Sequence, residues 1–189
     1  MSNTLPDEER EILLKLARQA LEDAVRGEKL LPLEMAGLPT NLQQPGATFV
    51  TLTKRGQLRG CIGSLQPTMP LAEDVREHAV AAGLQDFRFH PVSSADLPEI
   101  VIEISRLTLP QDLSYDSHED LLNSLRPGLD GVTILDGYRR ATFLPQVWEK
   151  IPDPSDFLDH LCNKMGAQPD LWRKKMLKIQ VYQVEEFHE

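Results

Sequence analysis

Isoleucine alternates with Val101, Glu103 and Ser105 along Ile100-Val101-Ile102-Glu103-Ile104-Ser105, and Pro110 closes the run after Leu109. Successive side chains of an extended chain point to opposite faces. This is therefore a strand, the strongest in the sequence, with an isoleucine face and a second face carrying Glu103. A carboxylate among flanking apolar residues is half buried, and a buried charge is tolerated only when paired and hydrogen-bonded. If the strand containing Arg59 lies beside this one, Arg59 is the partner at hand.

Elements of both kinds surround this strand. Thr4 to Gly27 opens with a polar residue, Pro6 and three acidic residues, and ends in glycine, which are helix start and stop signals. Ile12, Leu13, Leu16, Ala17, Ala20, Leu21, Ala24 and Val25 make one apolar stripe at helical spacing. Leu30 to Gly46 holds too many prolines and glycines for a regular element and reads as a connecting loop. Ala47 to Lys54 and Gln57 to Leu65 flank the pair Arg55-Gly56 as a β-hairpin.

A second helix starts at Pro70 and ends near Gly83. A short helix over His118–Leu125 is capped by Ser117. Asp136-Gly137, between two apolar runs, predicts a second hairpin with a type I′ turn. Helical segments open at Pro145 and Ser155, and Ile179 to Val184 reads as a last strand. Strands and helices are mixed without a βαβ repeat. The pattern predicts an α+β fold, an antiparallel or mixed sheet with helices packed on it, in a single domain over residues 1–189, with or without a small subdomain within it.

Charge and cysteine usage narrow the function. With 29 acidic against 20 basic residues, the net charge of −9 argues against nucleic-acid binding, whose affinity comes from basic groups displacing counterions. Charges or prolines interrupt every apolar run well short of the roughly 18 residues of a membrane span. Cys61 and Cys162 are the only cysteines, and the N-terminus lacks the basic and apolar regions of a secretory signal, so a cytoplasmic location is expected. Gly56, Gly60 and Gly63 do not form a phosphate loop, and the five histidines have no paired spacing; no cofactor and no dedicated metal site are expected.

The candidate chemistry gathers around Leu58-Arg59-Gly60-Cys61-Ile62-Gly63. Alternation puts Leu58 and Ile62 on one face and Arg59 with Cys61 on the other. Two glycines so close mark a bend, a bulge, or a group approaching the backbone. Asp86-Phe87-Arg88-Phe89-His90-Pro91, if extended, puts Asp86, Arg88 and His90 on one side and both phenylalanines on the other. Two readings stand side by side. A thiol near a cation is a candidate nucleophile, with Cys61 and Glu103 as catalytic residues; equally, a free cysteine acts as a small buried hydrophobe, and Arg59, Gly60, Gly63, Asp86 and Arg88 serve binding alone.

The hexapeptide, together with Ala81 to Phe89, Ile102 to Thr108, Asp130-Gly131-Val132, Leu144-Pro145-Gln146-Val147 and Phe157 through Gly166, resembles the AMMECR-type domain family along nearly the whole chain. Two departures are visible: the family's usual Asp-Pro-Arg-Phe stands here as Asp86-Phe87-Arg88-Phe89, and its Lys-Ala-Gly as Lys164-Met165-Gly166. The resemblance implies two unequal lobes forming a cleft near the hexapeptide, and adds Gln146 to the candidate binding residues. It also implies partners, a Memo-like protein and a radical SAM protein, but no reaction; the expectation set on it is an unidentified modification of a nucleobase or small metabolite. The alternative is a non-catalytic module that recognises a peptide, a nucleotide or a partner protein.

Overall fold

The computed structural model describes residues 4–189. In chain order its elements are α1 (Asp7–Val25), α2 (Thr40–Gln43), β1 (Pro45–Lys54), β2 (Gln57–Gly63), β3 (Met69–Pro70), α3 (Leu71–Leu84), β4 (Ile100–Leu107), β5 (Gln111–Leu113), α4 (His118–Ser124), β6 (Gly131–Asp136), β7 (Arg139–Phe143), α5 (Pro154–Lys164), α6 (Leu171–Lys174), β8 (Lys178–Tyr182) and β9 (Val184–His188). The fold is α+β with two antiparallel sheets, one in the order β2-β1-β4-β9 with β3 on β1, the other β5-β8-β6-β7. No described helix is long and apolar enough to cross a membrane.

The chain divides into two compact units, one running through Leu107 and taking back Glu185–Glu189, the other Thr108–Val184. In the first, Val50, Leu52, Ile102 and Ile104 bury one sheet face against Leu13, Ala17 and Leu21 of α1 and Leu71, Val75, Ala79 and Ala82 of α3. Each fully buried leucine or valine side chain contributes about 1.5–3 kcal/mol. Glu185 ties the ends of this unit together: its carboxylate accepts from the Leu5 amide at 3.0 Å, from Arg10 Nε at 3.0 Å and from Arg106 Nη1 at 2.9 Å. The second unit closes over Phe157, Leu158, Leu161, Cys162 and Trp172, with Trp148 stacked on Phe157 at 3.6 Å between ring centres.

Several local expectations are corrected. Leu30 to Gly46 is not one loop: a 3-10 turn covers Met35–Gly37, α2 follows Pro39, and β1 begins at Pro45. Fully buried Leu42 anchors that stretch, a long-range contact that outweighs the breakers around it. The two hairpins exchange turn chemistry. Arg55 and Gly56 both have positive φ, 54° and 75°, the type I′ pattern, whereas Asp136 pairs with Arg139 and leaves Gly137 and Tyr138 as the loop. Only Gly137 has positive φ there, 62°, which is the pattern of a type II′ turn with glycine first. The C-terminal strand signal resolves into β8 and a further strand, β9, hidden in the sequence by Glu185 and Glu186.

Candidate functional site

The site forms along β2, an edge strand whose only sheet neighbour among the described residues is β1. Cys61 pairs with Thr51, and Gly60 with Leu52, but Leu58 pairs with Thr53, so Arg59 is the extra residue of a β-bulge. The bulge reverses the expected alternation. Leu58 lies opposite Thr53 on the Cys61 face and is exposed, whereas Ile62 lies opposite Val50 and packs on the core. The two residues expected to share a face are on opposite ones.

β1 runs between β2 and β4, so the strands of Arg59 and Glu103 are not neighbours and the expected ion pair does not form. A row across the three strands takes its place: Cys61, then Thr51, then Glu103, in register. Thr51 Oγ1 donates to Cys61 Sγ at 3.3 Å, and Glu103 makes no ion pair with any described residue. No described His, Asp or Glu side chain hydrogen-bonds the Cys61 thiol, so it lacks the adjacent general base of an activated nucleophile.

The backbone of Cys61 is held from outside the sheet. Its amide donates to Asp86 Oδ2 at 2.9 Å, and its carbonyl accepts from Arg88 Nη2 at 3.0 Å. Asp86 and Arg88 thus supply, with two side chains, the partners that another strand would give an edge. They are bound to each other as well, through Arg88 Nε at 2.9 Å and Nη2 at 2.6 Å. The hydrogen bonds from Arg88, outweighing burial and helped by the Cys61 amide, hold the Asp86 carboxyl well below the usual carboxylate range; Asp86 in turn raises Arg88.

The clamp depends on a turn where an extended run was expected. The Phe89 amide donates to the Asp86 carbonyl at 3.0 Å and the Arg88 amide to Asp86 Oδ1 at 3.2 Å. Aspartate favours the first position of such turns because its side chain bonds the backbone two residues on. The turn cancels the predicted alternation and brings Phe87, Arg88, Phe89 and His90 around an open pocket of about 380 Å³ that Arg59 of β2 also lines.

Arg59 is held beside this pocket by the loop that follows the turn. Its Nη2 donates to the Pro91 carbonyl at 3.1 Å and stands 3.9 Å from Asp96 Oδ2, while its buried Nη1 has no hydrogen-bond partner among the described residues. Asp96 is otherwise committed to Lys54 at 2.5 Å and to Ser93.

The glycines of the hexapeptide have packing roles. A Cβ on Gly60 would stand 2.0 Å from the Ala82 carbonyl oxygen of α3, and one on Gly63 2.3 Å from the Thr48 carbonyl oxygen. The group approaching the Gly60 backbone is a helix. Gln146 lies exposed in the 3-10 turn Pro145–Glu149 of the second unit and is not among the residues lining the pocket. Thus Arg59, Cys61, Asp86 and Arg88 come together as one construction, with Glu103 at the far end of the strand row. Thr51, Phe87, Phe89 and His90 were absent from the candidate set. Counting back from the two-residue turn sets Thr51 opposite Gly60; only the bulge moves it to Cys61.

Comparison with known proteins gives a consistent result. A family model described as AMMECR1 matches residues 14–187. The chain is 38% identical to a protein of Methanothermobacter thermautotrophicus, across 98% of this chain and 96% of the relative. It is 35% identical to a protein of Thermofilum pendens, across 98% and 92%. The crystal structure of uncharacterized protein PH0010 from Pyrococcus horikoshii matches with a TM-score of 0.76 at 32% identity, over 98% of this chain and 93% of that one.

Proposed function

The chain belongs to the AMMECR1 family, and from that premise we propose that it is a cytoplasmic accessory protein that binds a small anionic ligand beside β2. In this reading it works with a Memo-like protein and a radical SAM protein in the modification of a nucleobase or small metabolite, a partnership supported by the family resemblance alone. The observation that carries the binding role is a pocket lined by two guanidinium-bearing residues, Arg59 and Arg88, with no carboxylate among its lining residues. Guanidinium groups bind carboxylate and phosphate through charge-assisted, often bidentate, hydrogen bonds.

Isothermal titration with inorganic phosphate and with acetate tests this reading. Saturable binding that Arg59→Ala abolishes while the fold is kept supports it; no binding of either anion, or binding indifferent to Arg59, removes it.

A thiol-dependent enzyme is the second reading, favoured by the Thr51 hydroxyl donating to Cys61 Sγ. A donated hydrogen bond stabilises a thiolate, and Glu103 stands one strand beyond Thr51 in the same row. The binding reading takes precedence because no general base reaches the sulfur.

A further inference from the structure

The lining of the pocket narrows the ligand class, and the inference rests on the anion-binding reading above. Five side chains form it: Arg59, Phe87, Arg88, Phe89 and His90. No carboxylate is among them. Asp86 stands behind the lining and is consumed by Arg88 and the Cys61 amide, and Asp96 by Lys54 and Ser93. In an acidic chain, this leaves a pocket whose lining residues include two arginines and no carboxylate.

Anion capture does not account for the aromatic residues. Phe87 is 95% exposed at the second position of the Asp86 turn, where proline is the residue that backbone geometry favours. Nothing in the turn requires a phenylalanine, and a large apolar side chain left wet gains only when something covers it. Phe89 presents a second ring, with the Arg88 guanidinium 5.5 Å from its centre. Rings flanked by guanidinium groups take flat π-systems on their faces while the cations take the charge. A volume of about 380 Å³ is near the lower end for ligand pockets and suits one compact molecule rather than a polymer.

We infer that the ligand is a small molecule carrying an anionic group, phosphate or carboxylate, on a planar ring. The anion meets the guanidinium side of the pocket, formed by Arg59 and Arg88; the ring lies against Phe87 and Phe89. An aliphatic anion would leave the rings wet, and a neutral aromatic would leave the two guanidinium residues of the lining without an anion.

Calorimetric titration with four probes, namely inorganic phosphate, phenyl phosphate, benzoate and benzyl alcohol, separates the contributions. Phenyl phosphate or benzoate is expected to bind about tenfold more tightly than inorganic phosphate, and benzyl alcohol not to saturate. Whichever ring anion binds more tightly identifies the anionic group. Phe87→Ala should erase most of the ring advantage and leave inorganic phosphate unchanged. Arg59→Ala should weaken the ring anion by at least about tenfold. Arg59→Lys, which keeps the charge but not the planar donor, gives the same comparison if the alanine variant does not fold. Equal affinity for inorganic phosphate and both ring anions, still dependent on Arg59, overturns the ring inference and leaves the anion reading standing. Absence of all anion binding overturns both.

Discussion

The Cys61 amide donates to Asp86 Oδ2 at 2.9 Å across 25 residues of sequence, so the residue that draws attention as a thiol is fixed first by its backbone. Arg88, bound to the same aspartate, takes the Cys61 carbonyl and completes the clamp. Asp86→Asn keeps an oxygen acceptor but removes the charge that holds Arg88. It is expected to lower the urea midpoint at pH 7. The folded carboxyl titrates below its unfolded value of about 3.9, so its contribution is complete above that value and lost as pH falls toward the folded one. The gap between wild type and variant should therefore narrow on acidification below about pH 4. A constant gap would show that the charge is not what holds the clamp.

Gly60 and Gly56 lie four residues apart yet should respond differently to alanine. At Gly60 the new Cβ meets the Ala82 carbonyl oxygen at 2.0 Å, backbone that moves only with α3. Gly60→Ala is expected to cost about 3 kcal/mol or more, or to prevent folding. Gly56 has open space and a φ of 75°, so Gly56→Ala carries only the left-handed penalty of about 1–2 kcal/mol. Denaturant titration of both variants gives the comparison.

The two cysteines should separate in alkylation. Cys162 is fully buried, and burial pushes its thiol up, so it should react only on unfolding; Cys61 is half buried and should react in the native protein. Thr51→Val removes the hydroxyl that donates to Cys61 Sγ and should slow the native reaction about fivefold. Arg59→Ala should change it by less than about twofold, because that guanidinium donates to the Pro91 carbonyl and not to the Cys61 sulfur. Site-resolved mass spectrometry across pH measures all three, and loss of Cys61 reactivity in Arg59→Ala would return Arg59 to the role of thiol activator.

Glu185→Gln tests how the chain ends are fastened. The carboxylate is 8% exposed and serves the Leu5 amide, Arg10 and Arg106 together, while Arg10 is 31% exposed. The loss should be about 2–3 kcal/mol, below that of a fully enclosed pair because Arg10 is partly solvated. Amide exchange at Leu5 should rise first, and an unchanged exchange rate there would count against this fastening.

The local elements were legible because local sterics and periodicity make them. The isoleucine alternation of β4, the apolar stripe of α1, the Ser117 cap and the hairpin around Arg55-Gly56 each depend on residues a few positions apart. The family was legible too, from motifs spread along the chain. The functional arrangement was not. The insertion of β1 between β2 and β4, which separates Arg59 from Glu103, is a choice among long-range pairings. The bulge at Arg59 depends on a register set by burial across the hairpin, and it alone brings Thr51 to Cys61. The Asp86 turn looked extended because Pro91 favours that before it, but the Cys61 edge groups reward a turn. Sequence determined most of the strands and helices and pointed to Arg59, Cys61, Asp86 and Arg88 as candidates. Tertiary structure decided which of those residues meet, because hydrogen bonds and packing between distant segments form only once the sheet has an order and the edge strand has open groups to satisfy.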